Sequence, residues 1–158
     1  MKVEFGEPNH GWLPVRIETT DFELAFEASD VPLNPISQLA AALRLVVADA
    51  ILGETLVWWH LEPSGYYFSF ARLNEQLELT IWYAENDRAA RSLHSRTVGS
   101  MDDIMLPFYR AIKRFASYEY NESDWPQLEP GEIRWLRQVV KNPLSWSSAY
   151  QWQSGARN

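Results

Sequence analysis

The chain reads as a single α+β domain, with an antiparallel sheet of five to six strands, one helix inserted between strands, and two C-terminal helices packed on the sheet. Three observations predict this. Apolar and polar residues alternate with period two over residues 12–28 and again over 55–85, the pattern of strands with one buried face. Between these blocks the period lengthens to that of a helix, starting at Asn34-Pro35. The last third carries helix signals and no further strand-like run.

Each element follows from its residues. Val3 to Phe5 forms a short strand ahead of Gly6 and Pro8. Trp12 to Thr19 places Leu13, Val15 and Ile17 on one face, and Phe22 to Ala28 repeats the alternation with Phe22, Leu24, Phe26 and Ala28. Thr19-Thr20-Asp21 is short enough for a hairpin between them. Asn34 caps a helix that opens on Pro35, buries Ile36, Leu39, Ala40, Leu43, Val47 and Ala50, and stops at Gly53. Thr55 to Leu61, Tyr66 to Leu73 and Gln76 to Glu85 are rich in aromatic and β-branched residues. Glu62-Pro63-Ser64-Gly65 and Asn74-Glu75 join them into a meander. Residues 86–100 read as a polar loop carrying Arg88, Arg91, His94 and Arg96. Ser100 and Asp103 make a capping-box start for a helix that runs to about Tyr118 and contains Pro107. A third helix covers about Gly131 to Lys141, showing Ile133, Leu136 and Val140, and Asn142-Pro143 ends it. Residues 1–150 form the one domain and 151–158 a frayed tail.

Composition narrows the function classes. The absence of cysteine removes disulfides, thiol catalysis, Cys-type zinc sites and iron–sulfur clusters, and fits a reducing, cytoplasmic setting. The N-terminus has no apolar signal segment, and no run approaches the ~20 apolar residues of a membrane helix. A net charge of −7 argues against nucleic acid, whose phosphates need a basic patch, and suits a basic protein partner.

Catalytic and cofactor signatures are sparse. His10, His60 and His94 have no metal-ligand spacing, the glycines form no phosphate-binding string, and Asp102-Asp103 is explained by helix capping. No metal or cofactor is expected. His60 and Glu62 share a strand face, and Ser69 lies one strand away, but no oxyanion donor or nucleophile motif accompanies them.

Aromatic residues are the unusual class: eight Trp, seven Tyr and seven Phe. Such rings fill cores, and they also anchor binding surfaces. Period-two bookkeeping sends Val57, Trp59, Leu61, Phe68, Phe70, Leu77, Leu79, Ile81 and Tyr83 inward. The outer face is left with Leu56, Trp58, His60, Tyr67, Ser69, Glu78, Thr80 and Trp82. Trp58, His60, Tyr67 and Trp82 are therefore a candidate ligand site. The competing reading folds the C-terminal segment, with Trp125, Trp135, Trp146 and Trp152, over this face.

Charge patterning offers a second surface. The first 31 residues carry Glu4, Glu7, Glu18, Asp21, Glu23, Glu27 and Asp30 against Lys2 and Arg16. Residues 119–132 carry Glu119, Glu122, Asp124, Glu129 and Glu132 with no base, interleaved with Tyr120 and Trp125. Glu119, Tyr120, Glu122, Asp124, Trp125 and Glu129 are the candidate partner-binding residues, the acids speeding encounter and the rings anchoring. A solvated acidic loop that keeps the protein soluble is the plainer alternative.

The stretch Asp30-Val31-Pro32-Leu33-Asn34-Pro35, through the helix to Trp58-Trp59-His60-Leu61-Glu62-Pro63-Ser64-Gly65-Tyr66, resembles segments of bacterial immunity-type proteins of polymorphic toxin and contact-dependent inhibition systems. The resemblance spans about residues 20–85 and contains no diagnostic motif. It implies a protein that blocks a toxin by binding it, often through acidic residues, without catalysis of its own. No site residue carries over from it.

Overall fold

The computed structural model describes residues 1–47 and 53–141. Their order is β1 (Lys2–Phe5), β2 (Trp12–Glu18), β3 (Glu23–Ser29), α1 (Pro35–Val47), β4 (Glu54–His60), β5 (Gly65–Leu73), β6 (Gln76–Ala84), β7 (Ser92–Ser100), α2 (Met101–Phe115) and α3 (Pro130–Lys141). The α+β class holds, and one antiparallel sheet runs in sequence order from β1 to β7. Ala50 of the expected helix, the Asn142-Pro143 stop and the tail at 151–158 lie outside the described residues.

Local chemistry accounts for the ends of these elements. Thr19 Oγ1 accepts from the N–H groups of Asp21 and Phe22, both at 3.1 Å, which closes the β2–β3 hairpin. Asn34 Oδ1 accepts from Ile36 N–H at 3.0 Å and caps α1. Asn74 adopts φ 56° in the β5–β6 turn, a left-handed conformation that Asn tolerates better than most residues. Ser100 and Asp103 form the expected capping box on α2.

Two expectations need correction. The polar stretch before α2 is a seventh strand, β7, paired with β6 over Ser92–Ser100. Its inward positions opposite Ile81, Leu79 and Leu77 are Ser95, Thr97 and Gly99, so no apolar alternation marks it. At Gly99 a side chain would crowd the start of α2, since a Cβ there would lie 3.1 Å from the Cβ of Asp103. The helix layout also differs. Helix α1 packs on β4 and β5, α2 on β1, β6 and β7, and α3 on α1 and α2 rather than on the sheet.

The sheet curls strongly. β3 and β4 share a single pair, Ser29 with His60, so the ladder does not hold the β1–β3 half flat against the rest. Phe26 reaches across to Tyr66 (5.0 Å between ring centres) and Phe68 (6.2 Å), and Phe22 reaches His94 on β7 (5.9 Å). A contact between strands four places apart in the sheet requires a concave inner face. The core fills that concavity: Trp59, Phe68, Phe70, Leu79 and Ile81 from the sheet meet Ile36, Leu39 and Leu43 of α1 and Ile104, Phe108 and Ile112 of α2. Burial, with Tyr83 adding to it, pushes the Tyr66 phenol above its ordinary pKa. All seven inward residues from Val57 to Ile81 other than Leu61 are fully buried, as the alternation predicts.

Candidate functional site

Two surfaces carry the residues singled out by the sequence. On the outer face of β4–β7, register aligns Trp58, Tyr67, Trp82 and Leu93 in one row across four strands. Trp58 stacks on Tyr67 at 4.3 Å and on His60 at 5.9 Å, and the Arg91 guanidinium lies 4.0 Å above the Tyr67 ring. Trp58 also lies over Gly65, where a Cβ would come within 2.4 Å of its ring. The four candidate ligand residues are thus brought together, and their edges are half-exposed. Leu93 (58% exposed) and Val98 (44%) extend the apolar character towards β7.

The acid–base grouping does not assemble. Ser69 pairs with Leu56, whereas His60 pairs with Gly65, four residues or about 13 Å further along the sheet. Ser69 Oγ donates to Glu54, His60 Nδ1 meets the Val31 carbonyl at 2.8 Å, and Glu62 accepts from Ser29 Oγ at 2.7 Å. Three of the four basic residues of the expected loop are likewise divided among separate partners. Arg96 pairs with Glu78, Arg91 with the Tyr67 ring, and His94 packs edge-on between Phe22 and Tyr66. The described residues contain no group of three or more His, Asp or Glu side chains able to hold a metal.

The second surface is acidic, and its aromatic anchors are spent on folding. Trp125 is fully buried, with its ring 6.3 Å from Phe115. Tyr120 also packs on Phe115, at 5.2 Å, and partial burial raises its pKa. Trp125 is therefore a core ring and not a surface anchor, and Tyr120 is a half-buried ring packed against that core. Trp135 packs against the core from α3, so it and Trp125 lie on the helical side and do not cover the outer sheet face. Trp146 and Trp152 lie outside the described residues.

Glu119, Glu122 and Glu129 are exposed, and Asp124 is half-buried with a structural task. His10 and Gly11 take positive φ angles, 50° and 81°, and turn successive N–H groups towards Asp124. His10 N–H donates to its carboxylate at 3.3 Å and Gly11 N–H to its carbonyl at 2.9 Å, while Asn121 Nδ2 donates to the other carboxylate oxygen at 3.4 Å. The His10 amide therefore holds the Asp124 carboxyl below its usual range, with Asn121 assisting. A carboxylate with a lowered folded-state pKa contributes stability above the ordinary Asp value and loses it as pH falls through the folded one. Asp124→Asn is accordingly expected to lower the melting temperature at neutral pH, with the deficit shrinking in acid. A constant deficit from neutral to acid pH would show that the charge contributes nothing.

Gly11 also joins the two acidic segments. Its carbonyl accepts from Asp30 N–H at 3.0 Å, on the opposite side from its bond to Asp124. Tyr118 OH donates to the Phe5 carbonyl at 3.2 Å, so residues 118–125 run alongside the β1–β2 loop. Glu7 and Asp30 from the N-terminal acids thereby share one end of the molecule with Glu119 and Glu122, which no single stretch of sequence displays.

Comparison with known proteins identifies no relative: no family model, curated protein or solved structure matches the chain. Function therefore rests on this geometry alone. No helix among the described residues is long and apolar enough to cross a membrane. Among the described residues, cavities open elsewhere than at His60. One of about 300 Å³ lies between α1 and α3, lined by Ala40, Arg44, Glu129 and Trp135. Another, of about 430 Å³, is a trough on β1–β3 lined by Glu4, Gly6, Pro14, Arg16, Ala25 and Glu27, with Val15 and Phe26 beneath.

Proposed function

We propose that this protein is a non-enzymatic interaction domain, of the immunity-like kind, that engages a basic protein partner through its acidic end. The observation that carries this reading is the pair of backbone hydrogen bonds at Gly11, whose N–H donates to Asp124 and whose carbonyl accepts from Asp30. It concentrates acids from two distant segments on one surface; His10 lies beside Asp124, and Lys2 (3.1 Å) and Arg114 (4.0 Å) lie beside Glu4. A concentrated negative field raises the encounter rate with a basic partner and repels acidic ones. With Trp125 inside the core and Tyr120 half-buried against it, this surface acts mainly by charge, and its binding should weaken steeply as salt rises.

The test is capture of a partner from the native lysate at low and moderate salt, by the wild type and by a Glu119→Lys, Glu122→Lys, Glu129→Lys triple variant. These side chains are exposed, so the variant should fold, and a wild-type melting curve would verify it. A basic, salt-sensitive partner lost in the variant is the expected result. Equal capture by both proteins would remove the acidic end from consideration. The row Trp58–Tyr67–Trp82–Leu93 favours a second reading, a ligand or partner site on the outer sheet face around His60. A captured species indifferent to the triple variant but lost on Trp82→Ala would belong to that face.

A further inference from the structure

The trough on β1–β3 is built differently from the rest of the acidic surface. Register sets three outward rows across these strands: Lys2, Glu18 and Glu23; then Glu4, Arg16 and Ala25; then Pro14 and Glu27. Gly6 lies beside Pro14, donating its N–H to the Pro14 carbonyl at 2.8 Å, and a Cβ there would come within 3.0 Å of the proline ring. Gly6, Pro14 and Ala25 thus form a floor low enough to leave the cavity of about 430 Å³ open, with carboxylates at its walls.

The charges along the trough are unevenly satisfied. Arg16 turns away to Glu23 at 2.8 Å and Glu18 at 3.9 Å. Glu4 holds Lys2 at 3.1 Å and Arg114 at 4.0 Å. Glu27, exposed at the far wall, has no hydrogen-bond or ion-pair partner among the described residues. An apolar floor beside an unpaired carboxylate matches a side chain with a hydrocarbon stem and a cationic head. Arginine fits better than lysine, because its planar fork engages a carboxylate with two hydrogen bonds and lies flat on proline and alanine surfaces.

We propose that this trough receives an arginine side chain of the basic partner, its stem on Pro14 and Ala25 and its guanidinium on Glu27. The proposal rests on the acidic-partner reading and supplies the anchor which that surface otherwise lacks. The test uses fluorescently labelled hexa-arginine, with hexa-lysine for comparison, titrated into the full chain and followed by anisotropy. Glu27→Gln should weaken hexa-arginine about tenfold and bring it level with hexa-lysine, since one charge-assisted pair is at stake. Ala25→Phe, which fills the trough and leaves every charge in place, should weaken it at least as much. The Glu119/Glu122/Glu129 triple variant should change it less than Glu27→Gln does. Hexa-arginine binding unchanged by both Glu27→Gln and Ala25→Phe would overturn the trough, as would the absence of binding by the wild type. If the lysate partner is still lost in the triple variant, only the trough has failed; if that partner too is unaffected, the acidic reading fails with it.

Discussion

Trp125→Ala is expected to remove about 4 kcal/mol of folding stability, the cost of emptying a large ring from a packed interior. Trp125 is fully buried against Phe115, and Phe115 is in turn flanked by Tyr118 and Tyr120, so the cavity has rigid walls on several sides. The indole N–H has no partner among the described residues. Trp125→Phe deletes that orphan donor along with part of the ring, so its cost should stay below about 2 kcal/mol. Chemical denaturation of the three proteins measures both numbers. The pair of variants also separates the roles assigned to this residue by its sequence and by its burial. A surface anchor would lose partner binding in both variants with little change in stability. A core ring loses stability in proportion to the volume removed and keeps its binding in Trp125→Phe. Equal, near-zero stability losses in the two variants would place the ring outside the core.

Gly65→Ala is the second large effect, about 3 kcal/mol, and it comes from overpacking. An added Cβ would meet the Trp59 carbonyl oxygen at 2.3 Å and the Trp58 ring at 2.4 Å. The indole can swing away, but the carbonyl belongs to β4 backbone in register with β5, and Trp59 is itself fully buried at the centre of the core. Relief therefore requires the β4–β5 ladder to part at its turn end. The change should also release Trp58 from its seat, reduce its stacking on Tyr67, and alter the near-ultraviolet circular dichroism, which reports packed rings. A variant as stable as the wild type, with an unchanged aromatic spectrum, would contradict the close approach at Gly65.

Both effects mark where sequence reasoning reached and where it stopped. The inward set of β4–β6 follows from alternation, because side chains of a strand must point to opposite faces and a one-sided core selects one of them. The starts of α1 and α2 follow from Asn34 and from Ser100 with Asp103, whose side chains bond backbone groups two or three residues away. Trp58, His60, Tyr67 and Trp82 were legible as a group for the same reason: strand period and hairpin turns set their register. The β7 strand was not legible. Its inward residues Ser95, Thr97 and Gly99 carry no apolar alternation, and at Gly99 the crowding comes from a helix, not from the strand's own neighbours.

The sequence by itself determined the local elements other than β7, the cysteine-free α+β class and the acidic balance, since these depend on side-chain period, capping and composition. The tertiary structure alone decided the curl of the sheet, the burial of Trp125, the packing of Tyr120 on Phe115, and the meeting of Asp30 with Asp124 at Gly11. Those outcomes depend on contacts between residues tens of positions apart, where ring volume and unpaired backbone groups compete for the same space. An aromatic residue beside acids reads alike whether it anchors a partner or closes a core. Only the arrangement of the chain around it settles which.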